Sequence, residues 1–205
     1  VYSVLRIHRR KDVTFDNIEL DGENLETKYL KLNNKFISKN NWKIENQKLV
    51  IKKVPSKFSI ETKVIIYPNE NTSLQGFYRS NDIFCTQCEP EGFRHITWFL
   101  DTPDIMALFK IRIESDRKYN HILSNGNIID EGKLINGRHY RIWSDPFPKP
   151  SYLFAMVIGN LGLQRDKFIT KSGKLINLEI YTEKGNEKFT FHAMESLKKA
   201  MKWDE

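Results

Sequence analysis

The 205-residue sequence predicts an all-β fold, an antiparallel sandwich or a strongly curved sheet, with one helix at the carboxyl end. Three observations indicate this class. Short runs rich in Ile, Val, Phe and Tyr alternate with polar residues, as half-buried strands do. Asn-Gly pairs, which form tight turns, separate some of these runs. No amphipathic helix lies between the runs, which argues against a parallel α/β sheet.

Six runs show the alternation clearly enough to predict strands. They are Lys48–Val54, Phe58–Tyr67, Phe109–Ser115, Arg138–Ser144, Tyr152–Gly159 and Lys174–Thr182. Asn125-Gly126 and Asn136-Gly137 supply residues that tolerate a positive φ, so antiparallel hairpins are expected at both places. The stretch 144–151 contains three prolines, which lack an N–H donor, and it should therefore leave any strand ladder.

The carboxyl end carries the helical pattern, over residues 191–205. Met194, Leu197 and Met201 recur at helical spacing, and lysines lie toward the negative end of the helix dipole. No internal repeat or linker divides residues 1–205, so a single domain is the simplest division. The chain opens without methionine in an alternating stretch and stops in a helical pattern, and we expect it to be part of something longer.

Composition argues against several function classes. The formal charge of +7 raises the question of nucleic acid, but the basic residues are scattered and lack interleaved aromatics. No apolar run approaches the roughly 18 residues that indicate a membrane span. Two cysteines in a chain of this size fit a reducing compartment. The sequence therefore predicts a cytoplasmic protein that spans no membrane and binds no nucleic acid.

Both cysteines lie in one stretch, FCTQCEPEGFRHITWFL, at C-x-x-C spacing. A structural zinc site usually takes four ligands, and no second Cys or His pair stands at suitable spacing. A redox pair needs a thiolate that is stabilised by a cation or a helix N-terminus, whereas Glu89 and Glu91 would raise the thiol pKa. Neither a metal site nor a redox pair is therefore favoured.

A third interpretation concerns the polar residues of the same stretch. If the segment is extended, Gln87 and Glu89 point to one face, while Cys88 packs behind them as a small apolar residue. An amide beside a carboxylate can receive a cationic ligand group. A solvated strand edge explains the same two residues, because exposed Gln and Glu are the norm. Both interpretations stay open at this point.

A resemblance to a known family is carried by four ordered blocks: LQGFYRSNDIFCTQCEPEGFRHITWFLDTPDIMALFKI, LSNGN, DPFPKPSYLFAMVIGNL and AMESLKKAMKWDE. They resemble the amino-terminal domain of zinc metallopeptidases of the aminopeptidase N (alanyl aminopeptidase) type, in the gluzincin class. The similarity is dense from Leu74 onward, and before that residue only the strand pattern matches.

The resemblance implies a saddle-like β-sandwich that closes over a catalytic domain, in an enzyme that removes one amino-terminal residue at a time from peptides. It implies that an initial strand or two precedes Val1 and that the catalytic residues and zinc ligands lie beyond Glu205, so the chain alone should be inactive. Glu89 maps onto the glutamate that holds the free α-ammonium of the peptide. Gln87 maps onto the glutamine that lines the pocket for the first side chain. The implied partners are peptides with a free amino terminus and the downstream catalytic domain.

Two other functions compete with this hypothesis. A stand-alone β-sandwich module that binds peptides or proteins would have a genuine chain end near Glu205. A metal or redox module would show bound zinc or a thiol of low pKa. Arg94 and His95, which follow the cysteines, are expected to support the strand or an interdomain contact rather than to act in catalysis, because an isolated His lacks the partner that catalysis needs.

Overall fold

The structure, a computed structural model, describes residues 1–14 and 16–205. Over these residues it consists of antiparallel sheets, short 3₁₀ turns and one α-helix. The strands are β1 (Tyr2–His8), β2 (Ile18–Asp21), β3 (Glu26–Leu32), β4 (Lys35–Phe36), β5 (Trp42–Glu45), β6 (Lys48–Ile51), β7 (Lys57–Ile65), β8 (Gly76–Ser80), β9 (Ile83–Gln87), β10 (Ala107–Asp116), β11 (His121–Ser124), β12 (Asn127–Lys133), β13 (Arg138–Lys149), β14 (Met156–Gly159), β15 (Leu161–Ile169) and β16 (Leu175–Glu183). The helix α1 spans Phe191–Asp204, and the 3₁₀ turns are Lys39–Asn41, Phe93–His95, Ser151–Leu153 and Glu187–Phe189.

The predicted fold class is confirmed. Each of the six predicted runs contains most or all of a strand, and the helix predicted over 191–205 is α1. The run Tyr152–Gly159 begins with a 3₁₀ turn, and its strand starts only at Met156. Among the described residues, no helix is both long enough and apolar enough to cross a membrane.

The amino-terminal part of the chain is built around a first hydrophobic core. Its sheets have the strand orders β1-β7-β3-β4 and β2-β6-β5. Leu20, Leu49, Ile51 and Ile60 from both sheets are fully buried there, together with Trp98. The Trp98 indole N–H donates to Thr27 Oγ1 over 2.8 Å, so the polar atom of this large side chain is satisfied.

A second core lies beneath the C-x-x-C stretch. Its sheets have the strand orders β10-β13-β12 and β11-β14-β9-β8. The ring centroid of Phe93 lies 4.9 Å from that of Phe99 and 5.2 Å from that of Phe154, both in edge-to-face arrangements. Cys88 is buried in the same cluster. Burial of each such aromatic or aliphatic side chain contributes roughly 1.5–3 kcal/mol to the stability of the fold. The segment that carries the site is therefore packed on a stable core.

The two Asn-Gly pairs behave differently. Asn136-Gly137 joins β12 and β13, which pair as the predicted hairpin. The hairpin predicted at Asn125-Gly126 is wrong, because β11 and β12 on either side of it belong to different sheets. Gly126 has φ +84°, and a Cβ there would lie 2.3 Å from the carbonyl oxygen of Ser144. This glycine therefore serves a close backbone approach at a change of sheet.

The prediction for the proline-rich stretch 144–151 was also wrong for residues 144–149. Strand β13 continues to Lys149, with Asp145 opposite Phe109 and Lys149 opposite Ala107. The register shifts between these two pairs, so the intervening prolines lie in a bulge. A bulge leaves residues without a cross-strand partner, and the missing N–H of proline is not needed there. The strand therefore passes through the prolines rather than ending before them.

Candidate functional site

The predicted site residues lie at one end of the four-stranded sheet β11-β14-β9-β8. Strand β9 ends at Gln87, and β8 begins directly opposite it at Gly76. Strand β14 begins at Met156, opposite Ser124, where β11 ends. In an antiparallel pair, one strand ends at the side of the sheet where its neighbour begins. Loops 71–75, 88–92 and 153–155 therefore meet here. We call this end of the sheet, with those three loops, the Gln87 edge.

The structure brings Gln87 and Glu89 together at this edge, and both are exposed. The side-chain Nε2 of Gln87 donates to the backbone carbonyl oxygen of Glu89 over 3.2 Å. Within the described residues, the Glu89 carboxylate has no ion-pair partner and accepts no side-chain hydrogen bond. The Glu89–Pro90 peptide bond is cis. The edge therefore presents an open carboxylate next to an amide whose Nε2 is already engaged.

The two cysteines have different surroundings. Cys88 is only 3% exposed, behind the polar pair as predicted, whereas Cys85 on β9 is half-buried. Burial raises the pKa of the Cys88 thiol to about 12, and the negative charge of Asp101 acts in the same direction. A thiol of this kind stays protonated and inert at neutral pH. Cys88 is therefore a packing residue behind the edge.

Two glycines let three backbone segments meet behind Gln87. A Cβ at Gly92 would lie 2.2 Å from the carbonyl oxygen of Gln87 and 3.0 Å from the backbone nitrogen of Gly76. Gly76 itself has φ +70°, and a Cβ there would lie 2.6 Å from Cβ of His95. Gly92 N also donates to the carbonyl oxygen of Cys88 over 2.8 Å. A side chain at Gly92 would displace the backbone of Gln87, and one at Gly76 would displace His95.

A buried ion pair holds the 3₁₀ turn Phe93–His95 that follows. Both the backbone N–H and Nε of Arg94 donate to Asp101 Oδ2 over 3.1 Å, and an Nη donates to the Asp101 carbonyl over 3.0 Å. The hydroxyl of Ser151 donates to the other carboxylate oxygen. Asp101 is 3% exposed, so the charge of its carboxylate is stabilised by three donors, the N–H and Nε of Arg94 and the hydroxyl of Ser151, rather than by water.

The same network reaches the first core. The backbone N–H of Asp101 donates to Asp21 Oδ2 over 3.2 Å, and Lys48 Nζ donates to Asp21 Oδ1 over 2.7 Å. Beside it, Nε2 of His95 lies 3.2 Å from Gln75 Oε1 and 3.6 Å from Glu23 Oε2. These contacts agree with the supporting role that was expected of Arg94 and His95. The network connects the segment that follows Glu89 to the first core as well as to the second.

No pattern in the sequence indicates the Asp101 network. The Ser151–Asp101 and Asp101–Asp21 contacts join residues 50 and 80 positions apart, and each residue alone looks like an ordinary polar loop residue. Only the long-range pairing of strands brings them together. One signal was available: Arg94 stands beside the apolar Phe93, six residues after Cys88, and a half-buried arginine needs an anionic partner.

The described residues do not fit a zinc site. Among residues 1–14 and 16–205, no three His, Cys, Asp or Glu side chains come together in a way that could hold a metal ion. The nearest sequence candidate, the C-x-x-C pair, has one thiol buried in the second core. No chemical step through a metal is therefore assigned to these residues.

Comparison with known proteins places this geometry in a family. The profile of the Peptidase M1 N-terminal domain matches residues 3–153. The chain belongs to this family. It is 47% identical over 189 residues to aminopeptidase N of Escherichia coli, and the aligned region covers 92% of this chain and 22% of that protein. It is 44% identical over 197 residues to aminopeptidase N of Caulobacter vibrioides, and the aligned region covers 96% of this chain and 23% of that protein.

Solved structures of M1 enzymes agree with the fold. The crystal structure of Legionella pneumophila aminopeptidase A in complex with aspartic acid superposes with a TM-score of 0.94 at 34% identity, over 99% of this chain and 24% of that one. An M1 zinc metallopeptidase of Deinococcus radiodurans, at 16% identity, shares the fold with a TM-score of 0.74. The resemblance predicted from the four sequence blocks is confirmed. This M1 N-terminal domain spans less than a quarter of the aminopeptidase N relatives, at 22% and 23% of their lengths.

Proposed function

We propose that this chain is the substrate-side domain of a zinc-dependent aminopeptidase, which hydrolyses the amino-terminal residue from peptides. Family membership and the aminopeptidase N relatives support the reaction class. The observation that carries the proposal is the open carboxylate of Glu89 beside the Gln87 amide. The second core and the Asp101 network hold the backbone segment that carries both residues.

The chemistry of the pair suits an α-ammonium group. A carboxylate accepts charge-assisted N–H hydrogen bonds, which are worth roughly 1.5–3 kcal/mol each. Because Gln87 Nε2 donates to the Glu89 backbone, Oε1 of the same amide is left as an acceptor toward the ligand. Glu89 would thus hold the free amine, while Gln87 lines the pocket for the first side chain. Fixing the amine fixes which peptide bond is cleaved.

The rest of the reaction belongs to residues outside this chain. We propose that a downstream catalytic domain of the same polypeptide holds the zinc and the hydrolytic residues, because the described residues here offer no metal site. This chain alone would then be inactive. Peptide catabolism and a cytoplasmic location stay predictions.

The test uses the polypeptide that contains both domains. We expect Glu89→Gln to lower kcat/KM for unblocked peptides about 10- to 150-fold, the equivalent of one charge-assisted hydrogen bond. The matched control is Glu91→Gln, the same change two residues away, at a carboxylate that faces solvent and lies 3.3 Å from Arg94. We expect it to change kcat/KM less than about threefold, because Glu91 is exposed and Arg94 keeps its hydrogen bonds to Asp101.

Three results would contradict the proposal. Equal kinetics for Glu89→Gln and the unaltered protein would remove Glu89 from amine recognition. Hydrolysis of amino-terminally acetylated peptides at an undiminished rate would show that the enzyme does not recognise the free amine. An endogenous protein of 24.3 kDa, the mass of this chain alone, would favour a stand-alone binding module instead.

A further inference from the structure

Hairpin β15–β16 and helix α1 pack together as a unit. The two strands form a sheet of their own, and an isolated hairpin is at best marginally stable in water. Helix α1 covers one face of the hairpin: Lys198 Nζ donates to Asp166 Oδ2 over 2.7 Å, and the buried Leu178 stands opposite Asp166. Among the described residues, Leu178 and Met194 of α1 are buried outside both cores. We call this third packing unit the hairpin–helix unit.

Two hydrogen bonds join this unit to the sheet β11-β14-β9-β8, at the end of that sheet away from the Gln87 edge. The backbone N–H of Leu161, where β15 begins, donates to His121 Nδ1 over 3.2 Å. The backbone N–H of Asn120 donates to Asn160 Oδ1 over 3.0 Å. The His121 ring also lies edge-to-face on the Tyr181 ring of β16, with 5.3 Å between the ring centroids. We call these interactions the His121 contact.

The His121 contact requires a neutral imidazole. A backbone N–H can only donate, so Nδ1 must accept, and the single proton of the neutral ring lies on Nε2. Protonation would place a second N–H on Nδ1, facing the N–H of Leu161, and two donors form no hydrogen bond. Burial lowers the pKa of His121, and the positive charges of Arg141 and Arg165 act in the same direction, against the opposing charge of Glu179. The surroundings therefore favour the neutral form that the contact needs.

The carboxylates of two neighbouring strands are already engaged. The Glu131 carboxylate on β12 lies 2.8 Å from Arg141 Nε on β13. The Glu179 carboxylate on β16 lies 3.0 Å from Arg165 Nε on β15 and accepts from the Tyr181 hydroxyl. Neither carboxylate is therefore free to pair with a protonated ring.

The remaining groups around His121 offer a protonated ring little compensation. Strand β14, Met156–Gly159, carries no ionisable side chain, and Ile113 and Ser115, the buried residues of β10, are uncharged. The other ionisable groups on the facing sides of β12, β13, β15 and β16 are Lys133, His139, Lys167 and Glu183. Only Glu183 among these is acidic, and it is exposed, so its attraction for an imidazolium is weak.

We infer that His121 is a pH switch, whose neutral ring holds the hairpin–helix unit to the sheet and whose protonation in mildly acidic solution frees that unit to move. A pKa below the ordinary value of 6.5 means that the open state binds the proton more readily than the closed state. The contact is therefore fully stable above pH 6.5 and weakens as the pH falls. Because the switch lies away from Gln87 and Glu89, the inference goes beyond the proposed function and does not depend on it.

Amide hydrogen exchange of this chain, followed by NMR at about pH 8 and about pH 5, tests the switch across the range in which an ordinary histidine changes its charge. Each rate is divided by the intrinsic rate at the same pH. We expect protection of the Leu161 amide to fall about three- to tenfold at the lower pH, the equivalent of one lost hydrogen bond, while amides paired within the hairpin stay protected. The amides of β7, in the first core, are the internal control. An equal fall at β7, or no fall at Leu161, would overturn the inference.

Two substitutions separate titration from packing. His121→Asn keeps a neutral acceptor near the position of Nδ1, so the Leu161 amide should be equally protected at both pH values. His121→Phe keeps a ring beside Tyr181 but removes the acceptor, so protection should be low at both pH values. The matched control is His192→Asn, at an exposed position of α1, which should keep the pH dependence of the unaltered chain. A pH-dependent fall that persists in His121→Asn would rule out the switch.

Titration of the His121 ring in the unaltered chain decides the question even where a variant does not fold. We expect its NMR signals to report a midpoint below pH 6.5, and the Tyr181 ring signals to shift with the same midpoint, because the two rings are in contact. A midpoint at or above pH 6.5 would show that the closed state does not favour the neutral ring, and the inference would fall.

Discussion

Cys88 shows how the surroundings of one residue decide its chemistry. The C-x-x-C spacing alone is typical of metal and redox sites, yet Cys88 faces the second core while Cys85, three residues earlier, lies half-buried on a strand. Desolvation penalises the thiolate of Cys88 and leaves the thiol as a small apolar side chain. The ligand count argues against a zinc site in this stretch, and the burial of one thiol is a further argument against it.

We predict that the two thiols react at very different rates. In the folded protein near pH 8, Cys85 should be alkylated by N-ethylmaleimide, while Cys88, with a pKa of about 12, should react only after unfolding. Mass spectrometry of peptides from timed reactions measures both rates. The control is Cys85→Ser, which should leave no fast-reacting thiol. Rapid labelling of Cys88 in that variant would contradict its burial.

The raised pKa of Cys88 also sets a direction for stability. The unfolded thiol ionises near its ordinary pKa of 9.0, whereas the folded one ionises near 12. Between these values the folded state binds more protons than the unfolded state, so the contribution of Cys88 to stability is present below pH 9 and is lost as the pH rises. This residue should therefore destabilise the fold only in alkaline solution.

At the scale of an element, the 3₁₀ turn Phe93–His95 depends on a partner outside itself. We predict that Asp101→Asn lowers the free energy of unfolding by about 3–5 kcal/mol, because it removes the buried negative charge that pairs with Arg94 and leaves only the exposed carboxylate of Glu91. Urea denaturation measures the change. The control is Asp82→Asn, at a carboxylate that is 94% exposed, where the loss should stay below about 1 kcal/mol. Equal losses for the two variants would show that the Asp101 network does not stabilise the turn.

Elements with strict alternation were predictable, and those set by distant contacts were not. The run Phe109–Ser115 alternates and falls within β10, because one face of that strand is buried and the other is not. The change of sheet at Asn125 could not be foreseen, since it depends on hydrogen bonds to Leu153 and Ala155, about 30 residues away. Gln87 and Glu89 were identified by resemblance, while their exposure and freedom from ion pairs required the structure.

At the scale of the whole molecule, the two cores act as one support for the Gln87 edge. Leu5 and Ile66 pack against both cores, and the Asp21–Phe99 bridge joins β2 to the segment that follows the site. The site residues themselves add little to this support, because Gln87 and Glu89 are exposed. Stability and recognition are thus carried by different residues, so changes at the site should leave the fold intact.

That separation leads to a prediction about metal. A chelator should leave the melting temperature of this chain unchanged, because its stability comes from the two cores and the Asp101 network, and the described residues form no metal site. In the two-domain polypeptide the same treatment should abolish peptide hydrolysis, and added zinc should restore it. Thermal unfolding and equilibrium dialysis with zinc measure the first expectation, and a peptide assay measures the second. One zinc bound tightly per chain of residues 1–205, or a lower melting temperature after chelation, would show that this domain holds metal itself.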